Sequence, residues 1–488
     1  MTSRPCTTLE CRLASAPNHE FSTFALNERL KRIIGTVAGM IVSPIKNFKT
    51  LRARVRASST LQKVIGSTGW LLADKILRYG LGLVVWVWLA RYLGPADFGT
   101  YNYAYAFVGV FGALATMGLD GIVVRDIVRQ PSFRNEILGT AFLLKLVGGL
   151  LALFLAVVFV RLLRPEDVAI AWFVVVLATT LLFQPFTVID LWFQSQIASK
   201  YAVYARTTAF VVLVVVIMVL IAYRASLMAF AWANLGEAFL LAVGLVSMYR
   251  VKGYQPTDWR AGAIRAKALL KDSWPLILSG LAIMFYMRID QIMIGQMIST
   301  DAVGIYSAAT RISEAWYVVP MVIVSVVFPV IVRSREASEQ LYLQRFQRLY
   351  DLMIWLAVSM AIPTTLLAGP LIHLLYGSDY SAGTTVLVIH VWTTAFVFLG
   401  VASGRWYLAE NMSHVLFQRT LIGGITNIVL NFFLIPVYGI NGAAIATLIS
   451  QAWAAYLHDM SNPLTRRVFY MKSKALLFLS TIRRGANG

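Results

Sequence analysis

The sequence predicts an all-α integral membrane protein, with about twelve transmembrane helices in two six-helix lobes around a central cavity. Three observations predict it. Hydrophobic residues make up 58% of the chain and charged residues only 14%, a balance suited to lipid as solvent. Twelve stretches are each apolar over about the 20 residues that a helix needs to cross the roughly 30 Å hydrocarbon core. Lys and Arg then crowd the connections on one side of those stretches.

In chain order the stretches are 65–90, 102–124, 137–160, 168–193, 204–222, 226–249, 274–298, 304–331, 350–372, 384–408, 416–435 and 440–458. Residues 1–64 read as a basic cytoplasmic extension. Its apolar run 33–42 is too short to span, a signal peptide is not indicated, and the basic run 46–56 suits an anionic membrane surface. Residues 65–249 form the expected N-terminal lobe, 250–273 a cytoplasmic linker, 274–458 the C-terminal lobe and 459–488 a basic cytoplasmic tail. Within that tail, 471–484 reads as a weakly amphipathic, interfacial stretch.

Cations orient the bundle. They cluster in the N-terminal extension, after span two (Arg125, Arg129, Arg134), after span four (Lys200, Arg206), across 250–271, across 333–348, at Arg419 and in the C-terminal tail. The alternate connections hold only Arg91, Arg161, Arg164 and Arg224. The positive-inside rule therefore places both termini in the cytoplasm of a multi-pass protein. The net charge of +20 is a topology signal and an attraction to lipid headgroups, and no nucleic-acid partner is expected.

Soluble-enzyme chemistry finds no foothold. Cys6 and Cys11 offer neither a disulfide framework nor a metal set, and no GxxxxGK[ST] or HExxH run occurs. The reading is of a non-enzyme without cofactor or metal. His373 and His390 read as interface or packing residues, and Gly148, Gly149, Gly423 and Gly424 as close helix packing.

The informative charges lie inside the spans: Lys75, Arg78, Lys145, Arg288, Arg311 and Arg405, with Asp74, Asp120, Asp190, Glu237, Asp290 and Glu314. A charge at mid-membrane costs about 2.5–3.5 kcal/mol on insertion scales, so such residues either line a cavity or pair between helices. Both readings stay open at this point. Asp74 and Arg78 are four apart on one helix face, and Arg311 and Glu314 three apart, so each couple is spaced to pair locally. Arg288 and Asp290 point about 200° apart and need other partners. Asp290 is expected to reach Arg78 or Lys75 across a cavity, or to take a proton. Asn427 and Asn431 share a face suited to interhelical hydrogen bonds.

An internal repeat supports two halves. Gly99-Thr-Tyr101-Asn-Tyr-Ala104 opens span two, and Gly304-Ile-Tyr306-Ser-Ala-Ala309 opens span eight, each after a polar turn. Parallel repeats of this kind place a substrate site between the halves and predict alternating access by rocking.

Several motifs together resemble one family. They are Arg91-Tyr-Leu-Gly-Pro-Ala-Asp-Phe-Gly99, Arg288-Ile-Asp290-Gln-Ile-Met-Ile-Gly295, Gly304-Ile-Tyr306-Ser-Ala-Ala-Thr-Arg311-Ile-Ser-Glu314, Leu375-Tyr-Gly377-Ser-Asp379-Tyr380, and the run from Asn427 through Asn431, Pro436 and Gly439 to Gly442. Across about 65–458 the chain resembles bacterial Wzx-type polysaccharide flippases of the multidrug/oligosaccharidyl-lipid/polysaccharide exporter superfamily. The resemblance implies two six-helix lobes in a V, and transport of undecaprenyl-pyrophosphate-linked oligosaccharide units across the inner membrane for surface polysaccharide assembly. Implied partners are the lipid-linked oligosaccharide, membrane lipids, a polysaccharide polymerase and a chain-length regulator. Two departures stand out: the N-terminal extension is longer than usual, and Asp190-Leu-Trp192-Phe193-Gln194-Ser-Gln196 only loosely follows the family's Trp-Phe-x-Gln-Gly run.

The charges suit that substrate. Arg donates paired hydrogen bonds to phosphate oxygens and Lys offers a point charge, so Lys75, Arg78, Arg288 and Arg311 are candidates for the pyrophosphate and sugars. Asp74, Asp290 and Glu314 are candidates for charge pairing or ion coupling when the site is empty. Two alternatives remain. A drug or metabolite exporter of the same superfamily would more often be acid-lined. A membrane glycosyltransferase or polymerase would show a larger extracytoplasmic loop than any here.

Overall fold

A computed structural model describes residues 59–410, 412–461 and 463–477, and all regular structure among them is helical. The expectations for Cys6, Cys11, 33–42 and 46–56 lie outside the described residues, as does the side chain of Lys75. Among the described residues, ten helices are long and apolar enough to cross a membrane. They accommodate eleven of the twelve expected spans, because Leu77–Arg129 contains the first two. The helix Ser59–Thr116 turns sharply at Gly94, whose φ of 69° suits glycine alone, just before Pro95, which has no N–H to give a helix. The twelfth span is Ile440–Ala452, a π turn at Trp453–Leu457 and His458–Ser461, so no single helix there reaches spanning length.

Breaks inside other spans also have local causes. The fourth runs through Val168–Thr179, a 3₁₀ segment Thr180–Thr187 with Pro185 inside, and Val188–Ser195. The eighth is Thr300–Ala315 followed by Val318–Ala337.

Three hydrophobic cores organise the bundle. One draws residues from both lobes: Leu89, Phe98 and Tyr103 on the N-terminal side join Val303, Tyr306, Tyr380 and Leu387 on the C-terminal side. It lies at the cation-poor end, where the first and second, and the seventh and eighth, spans connect. The other two cores belong to one lobe each. One gathers Leu119, Ile137, Trp192 and Leu245, and the other Phe346, Phe398, Trp406 and Val415, both at the cation-rich end. In lipid, helices associate through close van der Waals packing and polar contacts rather than apolar burial, and a shared packed core at one end with separate cores at the other means lobes that converge at the cation-poor end.

Polar contacts lock that convergence. Arg91 donates through Nε to Leu375 O at 2.7 Å and through Nη2 to Leu374 O at 2.5 Å. Tyr380 Oη donates to Ala90 O at 2.7 Å, and Gln296 Nε2 to Tyr103 Oη at 2.7 Å. Arg164 donates to Gly295 O and lies 4.6 Å from the Tyr103 ring centre. The repeat glycines form the tightest crossing. A Cβ on Gly99 would sit 2.9 Å from Gly304 N, against the Thr300 carbonyl; one on Gly304 would sit 3.0 Å from Gly99 N, against the Pro95 carbonyl. Thr300 stands four residues before Gly304, and Pro95 four before Gly99. The two halves thus meet through equivalent elements.

The linker and tail each hold to a lobe. Arg260 N donates to Asn135 O and Gly262 N to Thr140 Oγ1, fixing the linker on the N-terminal side. The stretch 471–484 expected at the interface lies largely outside the described residues, and the described tail helix is Arg466–Leu476. It buries Val468, Met471, Lys472 and Ala475, with Lys472 Nζ donating to Asp459 Oδ2 and to Ala455 O, both at 2.6 Å. Lys472 and Asp459 are both fully buried, so this polar pair, rather than amphipathicity alone, sets the docking.

Candidate functional site in the space between the lobes

Charges from both lobes collect beneath the sealed end. On the N-terminal side the first span carries Arg78, half-buried, with Nη2 3.6 Å from Glu237 Oε1 of the sixth span and its guanidinium 5.0 Å from the Phe210 ring centre. On the C-terminal side the eighth span carries Arg311, 3.9 Å from Glu314 Oε2 as its i,i+3 spacing predicts. Arg311 reaches across the halves. Its guanidinium lies 4.3 Å from the ring centre of Trp86, on the first span.

Trp86 belongs to an aromatic group that makes edge contacts with Phe98, Tyr101 and Tyr105 at 5.4–6.1 Å. Asn234 Nδ2 donates to Tyr101 Oη at 2.8 Å. This wall combines flat aromatic faces, an amide, a carboxylate and two arginines, a set able to hold both sugar rings and an anion. Sequence reasoning missed its aromatic and amide members. Trp86 and Tyr101 lie within about two turns of the Gly94 break, and Tyr101 is the tyrosine of the Gly-x-Tyr repeat.

Arg288 differs from the other candidates. It is half-buried on the seventh span, and among the described residues it forms no salt bridge and no side-chain hydrogen bond, although Asp290 lies near enough to act on it electrostatically. Its neighbour Asp290 is buried and turned into the C-terminal lobe. Asp290 accepts from Tyr306 Oη at 2.5 Å and from Gln291 N at 2.8 Å. Tyr306 Oη lies 3.4 Å from Thr447 Oγ1, Asn427 Nδ2 donates to Thr447 Oγ1 at 3.3 Å, and Asn431 Nδ2 donates to Asn427 Oδ1 at 3.0 Å. Spans seven, eight, eleven and twelve are thereby tied by one polar chain.

Two pairings expected from spacing are corrected. Asp74 does not neutralise Arg78. It accepts from Arg206 Nη1 at 3.3 Å and Thr207 Oγ1 at 3.0 Å, and Arg206 also pairs with Asp190. The i,i+4 geometry lost because Arg206, counted among the cytoplasmic cations although it falls within the expected span 204–222, pairs with both Asp74 and Asp190 from the helix Lys200–Ala222. Nor does Asp290 pair with Arg78 across the cavity; the Tyr306 hydroxyl satisfies it within its own lobe, and the side chain of Lys75 lies outside the described residues. Arg419, also counted among the cytoplasmic cations, lies in the helix Ser413–Tyr438 and donates to Gly400 O at 3.1 Å.

Lys145, which has no acid within a turn, finds one on another element: Nζ donates to Asp120 Oδ1 at 2.7 Å and to Thr187 Oγ1 at 2.9 Å. Arg405 is exposed, and His390 is buried with Nδ1 2.6 Å from Ser313 Oγ. Gly148 and Gly149 pack against the Leu114 and Leu181 carbonyls, and Gly423 against Ala454.

This architecture defines a class: a multi-pass helical membrane protein with the two-lobed transporter fold. Solved structures share it. The chain is similar to the lipid II flippase MurJ in an inward closed conformation, with a TM-score of 0.65 at 14% identity over 85% of this chain and 92% of that one. It is also similar to an inward-facing multidrug resistance MATE family transporter of the MOP superfamily, with a TM-score of 0.69 at 14% identity over 80% and 95%. At that identity the likeness is one of fold. The chain belongs to the polysaccharide biosynthesis protein family, whose model matches residues 64–335. Among curated proteins it is 30% identical over 229 residues to a probable flippase, AglR, of Haloferax volcanii, covering 46% of this chain and 47% of that protein. It is 26% identical over 197 residues to a probable low-salt glycan biosynthesis flippase, Agl15, of the same organism, covering 40% and 41%. The chain thus spans less than half the length of the curated relatives it matches.

Proposed function

We propose that this protein flips undecaprenyl-pyrophosphate-linked oligosaccharide units across a bacterial inner membrane, for assembly of surface polysaccharide, by alternating access. The observation that carries the reading is Arg288. A guanidinium inside a membrane protein with no carboxylate in hydrogen-bond contact is costly unless an anion arrives to meet it, and a pyrophosphate brings about two charges in a geometry that Arg matches with paired hydrogen bonds. Arg311, Arg78 and Lys75 add to that field, and Trp86, Tyr101 and Asn234 provide a wall for sugars. Glu237 and Glu314 hold Arg78 and Arg311 between cycles, while Asp74 holds Arg206. Asp290 is the group placed to link ion binding to movement of its lobe.

With the cation-rich end in the cytoplasm, the termini are cytoplasmic and this form is open inward and closed outward. Family membership and the names of the relatives support a transporter rather than an enzyme. A polymerase and a chain-length regulator would take the product on the far side.

The test is flipping of a fluorescent pyrophosphate-linked glycolipid in proteoliposomes. Arg288→Ala and Arg311→Ala should insert and fold normally yet abolish flipping, and Arg→Lys should restore only part, because the paired geometry is lost. Flipping at normal rates by both Ala variants would return these residues to structural roles. A reporter fused after Lys271 should read cytoplasmic; a periplasmic signal there would overturn the orientation.

A further inference from the structure

A second polar site lies in the N-terminal lobe, at the cation-rich end. A cleft of about 430 Å³ opens between the helix Asp120–Arg129 and the last part of the fourth span, lined by Asp120, Gln184, Thr187, Asp190 and Gln194. Its volume is in the range of small-molecule sites. None of these residues takes part in the wall around Arg311 and Trp86.

The walls are fixed from behind by buried charges. Lys145, 1% exposed, donates to both Asp120 and Thr187. Arg206 holds Asp190 Oδ2 and Asp74. Both cations are therefore engaged, by three carboxylates. One acceptor stays unmet: Asp190 is only 7% exposed, yet its Oδ1 is buried with no hydrogen-bond partner. A buried carboxylate oxygen left without a donor is destabilising, and Asp190 lines the cleft, so a small rotation of its carboxylate would offer that oxygen to a ligand's O–H or N–H. Beside it the side-chain amides of Gln184 and Gln194 have no protein partner among the described residues. The mouth is accessible, since Gln194 is exposed and the Asp120 side chain is 60% exposed.

This inventory selects a ligand class. The cleft offers an unmet carboxylate acceptor, two amides that both donate and accept, and no free cation. Phosphate, or a sugar bearing a carboxylate, would face Asp190 and Asp120 without compensation. An apolar drug would leave the amides and the carboxylate unpaired. We infer that the cleft is a subsite for one neutral, donor-rich sugar residue, a hexose or N-acetylhexosamine, whose hydroxyl or amide hydrogen meets Asp190 Oδ1 between Gln184 and Gln194. The inference rests on the glycan-flippase reading and deepens it: the carried unit includes a neutral sugar, recognised by the N-terminal lobe apart from its pyrophosphate.

Saturation-transfer NMR on the full chain in nanodiscs tests this with three probes: methyl glucoside, methyl N-acetylglucosaminide and methyl glucuronide. The neutral glycosides should bind in the millimolar range, and the glucuronide about tenfold more weakly. Gln184→Leu combined with Gln194→Leu touches none of the ion pairs and should weaken the neutral glycosides by about tenfold, as expected for two lost hydrogen bonds. Asp190→Asn should narrow the discrimination against glucuronide, an effect that a purely structural role would not produce. Equal binding of glucuronide by the native chain, or undiminished binding of neutral glycosides by the double Leu variant, overturns the subsite. The titration needs no transport. Normal flipping without glycoside binding refutes the subsite alone, and glycoside binding by a chain that flips nothing refutes the transport reading alone.

Discussion

The crossing of Gly99 and Gly304 should decide which way the molecule faces. Gly304→Ala places a methyl 3.0 Å from Gly99 N and 3.0 Å from the Pro95 carbonyl carbon, and Gly99→Ala places one 2.6 Å from the Thr300 carbonyl carbon. Comfortable non-bonded separations are about 3.5–4.0 Å and the carbonyl oxygens lie closer still, so the second and eighth spans must part by more than about one ångström. Both obstacles are backbone, and no rotamer change relieves them. Overpacking of this kind costs about 1–3 kcal/mol, and it falls only on the form closed at this end. At about 1.4 kcal/mol per tenfold, the population ratio should shift by about tenfold to a hundredfold toward the form open at the cation-poor end. Spin labels at Asp97→Cys and Asp379→Cys read it directly. Both positions are exposed, one per half, and adjoin Phe98 and Tyr380, whose rings are 6.3 Å apart. With Cys6 and Cys11 replaced by Ser, pulsed EPR should show one short distance in the parent and a dominant longer one in Gly304→Ala. An unchanged distribution in a well-folded Gly304→Ala protein would refute the glycine crossing as the seal.

Three further outcomes follow from the buried polar groups. Asp120→Ala should lower thermal stability more than Lys145→Met, because the first strands a buried ammonium at a cost of about 3–5 kcal/mol while the second frees a carboxylate that is already largely in water; melting temperatures in the reverse order would contradict the pairing. Tyr306→Phe should destabilise by about 1–3 kcal/mol, since the buried Asp290 carboxylate keeps only the Gln291 amide, and hydrogen exchange should rise on the seventh and eighth spans together. Burial, more than its neighbours, pulls the Lys472 ammonium down to about 8 from the usual lysine range near 10.5. Between those values the undocked tail binds more protons than the docked one, so docking should strengthen as the pH rises through that window and weaken toward neutrality. Limited proteolysis of the tail should slow accordingly, and Lys472→Met should remove the dependence.

Much of the architecture was legible because membrane helices declare themselves locally. Each span satisfies its own backbone, so length and hydropathy alone place them, and the Gly-x-Tyr repeat marks the two equivalent elements that meet at the seal. Partner choice was not legible. Spacing puts Asp74 within a turn of Arg78, but the lowest-energy partner for a buried carboxylate is the most desolvated cation within reach, and that is Arg206 from a helix more than a hundred residues away. Arg206 and Arg419 fall inside expected spans yet were counted with the loop cations, because the count treats every cation near a span end as a topology signal, whereas these two are met inside helices by carboxylates and a carbonyl. Asp290 was misjudged for a related reason. A tyrosine hydroxyl is a sufficient partner for it, and no charge pattern reveals a neutral donor.

The two halves, alike in fold, differ in what their charges leave over. In the N-terminal lobe Arg78, Lys145 and Arg206 each meet a carboxylate, and one carboxylate oxygen on Asp190 remains unmet. In the C-terminal lobe Arg288 forms no salt bridge among the described residues, and Arg419 has a carbonyl for Nη2 while its Nη1 is buried and unpartnered. Asp190 in the first lobe therefore lacks a donor, and Arg288 in the second lacks a paired anion. On the proposed reading a lipid-linked glycan supplies both, hydroxyls to the first and pyrophosphate to the second. A ligand that satisfies both lobes is bound differently when they are apart than when they are together, and that difference is what allows it to shift an equilibrium between the two forms. A free sugar or a free pyrophosphate engages one lobe only and has no such leverage. Added separately to the spin-labelled protein, each should leave the Asp97→Cys to Asp379→Cys distance unchanged, while the intact glycolipid should broaden it toward the open form. A shift with pyrophosphate alone would mean that the C-terminal lobe drives the movement without its partner.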